Sequence, residues 1–198
     1  MEVRFESPTW SKIYRLMLSL GRQIVSADFE PDVVVGISRG GWLPARVLSD
    51  LLTNPNLASV KAECYVRIGE AKETPMITQR LMVDVTGKAV LVVDDVADTG
   101  KSLRLVKTHV LEQEASEVKT ATLYYKRRSI FKPDFYAKET DCWIVFPWEL
   151  KETVNKILEA HRKNPAGAQK ELEKLAMSGV PKRLITRFEK EFSEERIC

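Results

Sequence analysis

Residues 89–102, Ala-Val-Leu-Val-Val-Asp-Asp-Val-Ala-Asp-Thr-Gly-Lys-Ser, restrict the fold more than any other stretch of the chain. Five apolar residues, 89–93, predict a buried strand, and beyond it the chain turns acidic at Asp94, Asp95 and Asp98. Thr99, Gly100, Lys101 and Ser102 make a small polar turn, and Leu103, Val106 and Val110 recur behind it at helical spacing. A buried strand that delivers such a turn to the start of a helix belongs in an open α/β sheet. Ligands of these sheets bind at the carboxyl ends of the strands. Backbone N–H groups and hydroxyls of the turn face an anion there, and the helix N-terminus adds a favourable dipole. The neighbouring acids suit ribose hydroxyls, a metal ion or a proton. Together these features describe a site for a phosphorylated sugar.

Two simpler readings compete. Gly100-Lys101-Ser102 has the tail of a Walker-type P-loop, but that loop needs glycine at position 95, where Asp95 stands. Asp98 as a helix cap would explain one aspartate and leave Asp94 and Asp95 without a role.

An apolar strand, two acids, two residues, Asp-Thr-Gly and a small hydroxyl residue resemble the phosphoribosyl pyrophosphate (PRPP) motif of type I phosphoribosyltransferases. The resemblance implies that Asp94 and Asp95 hold the ribose hydroxyls, directly or through metal-bound water. It implies that Thr99, Gly100, Lys101 and Ser102 cradle the 5′-phosphate. Asp98 would meet N7 of a base and accept its proton. Mg²⁺ is the implied cofactor, with Asp95 and Glu149 as its expected ligands.

A second motif, Ser38-Arg39-Gly40-Gly41, ends the apolar run Val33–Ile37, so it should face the same sheet edge. Its glycines let backbone amides approach an anion, and Arg39 offers a cation to pyrophosphate oxygens. It resembles the family's pyrophosphate loop, which implies PRPP contacts from Ser38, Arg39 and Gly40 and a cis peptide between Ser38 and Arg39. The polar stretch 69–79 corresponds to the family's flap, with Arg67 and Arg80 at its borders.

Residues 125–149 narrow the resemblance to purine enzymes, closest to the xanthine–guanine and hypoxanthine types, as does the opening Thr9-Trp10. Lys126 matches a lysine that contacts the exocyclic group at purine C6, and Trp143 and Ile144 match an aromatic–aliphatic pair at the base. Lys126 favours a 6-oxopurine, because an ammonium donates to a carbonyl oxygen and cannot accept from an amine. Adenine is the alternative base, recognised through backbone carbonyls near Ile144. A regulator that senses PRPP or a nucleotide is the rival from another class. Basic Lys182, Arg183, Arg187 and Lys190 lie among glutamates, however, which predicts a solvated helix face.

The expected fold is an α/β, doubly wound, mainly parallel sheet with a small hood. Residues 1–150 are assigned to the phosphoribosyltransferase domain and 151–198 to a helical C-terminal appendage of three amphipathic helices. Ser7-Pro8 is read as the start of the first helix, and strands are expected at Lys61–Ile68, Leu81–Val85 and Thr120–Tyr125. A net charge of +3, from 28 acids and 31 bases, gives no argument for nucleic acid as a partner. No apolar run is long enough for a membrane span, and the first residues carry no signal-like apolar stretch. Cys64, Cys142 and Cys198, odd in number and widely spaced, suggest reduced thiols and a cytoplasmic protein. The family resemblance implies PRPP and a purine base as ligands and a homodimer or higher homo-oligomer.

Overall fold

A computed structural model describes residues 4–66 and 73–194. In chain order the first elements are β1 (Phe5–Glu6), α1 (Trp10–Ser26), β2 (Val33–Ser38), α2 (Trp42–Leu51) and β3 (Leu57–Val66). They are followed by β4 (Glu73–Gln79), β5 (Ala89–Ala97), α3 (Lys101–Leu111), β6 (Glu117–Tyr125) and β7 (Phe135–Glu139). Last come β8 (Trp143–Ile144), α4 (Leu150–Ala160), α5 (Pro165–Met177) and α6 (Lys182–Glu194). Two compact units result, one of residues 14–141 and one of residues 1–13 with 142–198.

The larger unit carries a six-stranded sheet in the order β4-β3-β2-β5-β6-β7, in which only the β3–β4 pairing is antiparallel. Apolar residues run unbroken along β2 and β5 because both faces of these central strands are covered. Val33, Val35, Val90 and Val92 pack with Leu103, Val106 and Val110 of α3. Val34, Leu91 and Val93 point the other way, to Leu20 and Ile24 of α1 and Ala45 and Leu48 of α2. Helices on both faces make the sheet doubly wound and mainly parallel. From β2 the chain steps through α2 to β3 on one side, and from β5 through α3 to β6 on the other. The crevice between β2 and β5 is therefore the topological switch point.

Three expectations for local structure need correction. Residues 73–79, read as part of a polar loop, form edge strand β4 on β3, where Ile77 joins the core and Thr78 Oγ1 donates to Glu63 Oε2 at 2.8 Å. An edge position tolerates Pro75. Residues 69–72 and Arg67 lie outside the described residues. The strand expected at Leu81–Val85 is irregular: Leu81 and Val85 are buried four residues apart, while Met82 is 87% exposed. Asp84 Oδ1 accepts from the Thr86 amide at 3.0 Å and turns the chain there. Finally, α1 begins at Trp10, and it is Thr9 Oγ1, not Ser7, that accepts from the Lys12 amide, at 3.2 Å. Ser7 Oγ instead meets Ser178 Oγ at 2.6 Å.

In the smaller unit β1 and β8 pair in parallel, setting Phe5 opposite Trp143 and Glu6 opposite Ile144. Val145 packs with Val154 and Ile157 of α4, Leu172 and Leu175 of α5, and Ile185 of α6. Residues 151–194 thus share one core with the strand segment that precedes them. Among the described residues no helix is long and apolar enough to cross a membrane.

Candidate active site

The larger unit brings most of the sequence-predicted residues to one place, the carboxyl ends of β2 and β5. Parallel pairing with Gly36 opposite Val93 carries Ser38 and Asp95 to the same sheet edge. The loop 39–41 then closes tightly, with the Gly41 amide donating to Ile37 O at 2.8 Å and the Trp42 amide to Arg39 O at 3.3 Å. The Ser38–Arg39 peptide is cis, as the resemblance implied. A Cβ on Gly40 would fall on the Asp95 carboxylate, and one on Gly41 would lie 2.8 Å from Asp94 Cα. The loop thus lies directly on the acidic end of β5, a closeness only glycine permits.

Asp95 is 9% exposed, and its amide donates to Asp94 Oδ1 at 2.9 Å. Burial, reinforced by the charge of Asp95, raises the Asp94 proton affinity well above the ordinary carboxylate range.

The turn after β5 is built around Gly100, at φ 74°, which stands at the cap of α3. Gly100 offers no side chain to cap the helix, and the Lys101 amide donates to Thr99 Oγ1 at 3.4 Å. Residues 126–131 fold over this turn, through Lys126 N to Ala97 O at 3.1 Å and Ile130 N to Thr99 O at 3.0 Å. Asp98 does not cap the helix. Its Oδ2 lies 3.2 Å from Lys126 Nζ, and its Oδ1 accepts from Arg128 Nε at 3.0 Å and from Arg128 Nη2. Lys126 is 4% exposed, so a buried ammonium stands beside the aspartate. Arg128 is a site residue that sequence reasoning passed over. The only signal was the basic run Lys126-Arg127-Arg128, which reads equally well as a solvated surface.

Trp143, Ile144 and Glu149 belong to the smaller unit. Trp143 is 48% exposed and Ile144 is buried on β8. Glu149 opens α4, accepting from the Phe146 amide at 3.3 Å. Phe5, Trp143 and Glu149 line a cavity of 250 Å³ within this unit. In the larger unit a roomier cleft of 630 Å³ lies between residues 28–32 and 51–56. It holds none of the expected site residues.

Among the described residues no group of three or more His, Cys, Asp or Glu side chains could hold a metal ion by itself. The acids present still fit Mg²⁺, which is held by one or two carboxylates together with waters and substrate phosphates. The adjacent carboxylates Asp94 and Asp95 at the end of β5 offer that kind of partial site.

Comparison with known proteins shows the family and the fold. The phosphoribosyl transferase domain family matches residues 9–154. A xanthine-guanine phosphoribosyltransferase of Chromohalobacter salexigens is 31% identical over 144 residues, covering 72% of this chain and 82% of the relative. The crystal structure of a purine phosphoribosyltransferase from Pyrococcus horikoshii superposes with a TM-score of 0.66 at 36% identity. That match covers 73% of this chain and 93% of the other. A Helicobacter pylori xanthine-guanine-hypoxanthine phosphoribosyltransferase, 22% identical, shares the fold with a TM-score of 0.64 over 77% of this chain and 99% of its own.

Proposed function

Because this chain belongs to the phosphoribosyl transferase domain family, we propose that it transfers the 5-phosphoribosyl group of PRPP to a 6-oxopurine and releases pyrophosphate. The observation that carries the base class is the juxtaposition of Asp98 with the buried ammonium of Lys126, 3.2 Å apart. A 6-oxopurine presents a carbonyl oxygen and, beside it, an N7–H on one edge. The ammonium donates to the first and the carboxylate accepts from the second. Adenine puts an amine where Lys126 needs an acceptor.

The reacting bond joins ribose C1′ to a pyrophosphate oxygen. As it breaks, positive charge develops on the ribose ring and negative charge on the leaving group, so catalysis is positioning with electrostatic stabilisation. Arg39 and the Gly40 amide neutralise pyrophosphate. Thr99, Gly100, Lys101 and Ser102, at the N-terminus of α3, hold the 5′-phosphate. Asp94 and Asp95 orient the ribose hydroxyls. Asp98 takes the N7 proton as the purine nitrogen bonds to C1′. Mg²⁺ held by Asp95 would supply further charge neutralisation on pyrophosphate. Trp143 and Ile144 are assigned to the purine ring and Glu149 to a second metal ion on the strength of the family resemblance. A cytosolic location and a homodimer or higher homo-oligomer complete the reading, to be checked by fractionation and sedimentation.

The test is PRPP-dependent release of pyrophosphate with Mg²⁺, run in parallel on hypoxanthine, guanine, xanthine, adenine and uracil, with Asp98→Asn alongside. Turnover of 6-oxopurines, reduced about 100-fold or more in the variant, is expected. Turnover of adenine alone would overturn the base assignment. No turnover with tight PRPP or nucleotide binding would make the protein a sensor.

A further inference from the structure

We propose that Arg128 occupies the Asp98 carboxylate until the base arrives and is displaced by it, which makes Arg128 a positioning residue that sets base affinity. The inference rests on the assignment of Asp98 to the base. Both oxygens of Asp98 carry cationic donors: Oδ1 accepts from Nε and Nη2 of Arg128, and Oδ2 faces Lys126 Nζ. Oδ1 thus has both its lone-pair directions filled by Arg128, and an incoming N–H that is to reach that oxygen must replace the guanidinium.

The two cations differ in freedom. Lys126 is 4% exposed, follows directly on β6 and is held through its amide to Ala97 O. The Arg128 side chain is 63% exposed, on a turn closed by Ser129 N to Lys126 O at 2.9 Å. Withdrawing the buried ammonium would strip a charge of its partner without returning it to water. Withdrawing the guanidinium returns it to solvent at little loss, since an exposed ion pair contributes little net energy. Arg128 is the one that yields, and Lys126 stays to meet the base. The planar guanidinium, with two N–H groups on a single oxygen, fills the position that the N7–H of the base takes later. Until then it also keeps one negative charge covered, in a crevice that must admit a polyanionic sugar phosphate.

Steady-state kinetics of the wild type, Arg128→Ala and Arg128→Lys against hypoxanthine test this. Removal of the competitor lowers the KM for hypoxanthine by about three- to fivefold. The change falls in KM rather than kcat, and the KM for PRPP stays put. Arg128→Lys, with a point charge in place of the fork, lies between the two. A base KM that is unchanged or raised in Arg128→Ala overturns the role, as does a kcat that falls together with the melting temperature. If the wild type turns over no base at all, the proposed function fails first and this inference with it. Wild-type turnover with an unaltered base KM in Arg128→Ala removes the inference alone.

Discussion

Gly40 lies so close to Asp95 that a single added β-carbon would overlap the aspartate's carboxylate. The obstacle is a buried side chain, 9% exposed, at the end of a central strand, so neither partner can step aside cheaply. Gly40→Ala should separate the loop from the acids, raise the KM for PRPP at least about tenfold and lower stability by about 1–3 kcal/mol. Equilibrium binding of PRPP and a thermal melt check the two effects.

Asp94 gives the opposite sign for stability. Burial and the Asp95 charge raise its proton affinity in the folded state. Its contribution is therefore most favourable below the unfolded carboxylate range, about pH 4, and is lost as pH rises through the folded value. Asp94→Asn should raise the melting temperature at neutral pH while activity falls. The gain should shrink toward pH 4 in melts taken across pH, and a gain independent of pH would contradict this account.

Asp134 behaves conversely. Desolvation works against its charge, but hydrogen bonds from Thr120 and the nearby ammonium of Lys107 together outweigh it and lower the proton affinity. The carboxylate takes the Thr120 amide at 2.8 Å and hydroxyl at 2.7 Å, tying the start of β7 to β6. Its stabilisation is present above the unfolded carboxylate range and is lost as pH falls below about 4 through the lowered folded value. Asp134→Ala should lose about 1–3 kcal/mol at pH 7 and converge with the wild type in acid, as read by urea unfolding.

Lys126→Met keeps the length and apolar character of the side chain and deletes the donor. The kcat/KM for hypoxanthine and guanine should fall about 10- to 100-fold, the weight of one charge-assisted hydrogen bond. Adenine, which cannot use the ammonium, should lose less. Equal losses on all bases would show that Lys126 supports Asp98 without reading the purine.

Leu175 is fully buried in the core that α4, α5 and α6 share with Val145. Leu175→Ala should destabilise the protein by about 2–5 kcal/mol through lost burial and a residual cavity. A melt unchanged within about 1 °C would mean that residues 165–194 contribute little to the fold.

The sequence by itself determined what is local. The 3.6-residue period located α3 and the three C-terminal helices, and the apolar runs ending in Ser38-Arg39-Gly40-Gly41 and Asp94-Asp95 located β2, β5 and their loops. Each of these signals depends on neighbours a few residues away, where chain stiffness and burial pattern suffice. Tertiary structure decided the rest. β4 exists because the open edge of β3 leaves N–H and C=O groups to be paired, a demand invisible within residues 73–79. Leu81 and Val85 reach the core from an irregular segment, and the two-residue strands β1 and β8 are defined only by each other. Arg128 acquired a role only when the turn after β6 folded over Asp98. Pairings between distant segments depend on which edges and charges the folded chain leaves unsatisfied, and only the assembled sheet reveals that.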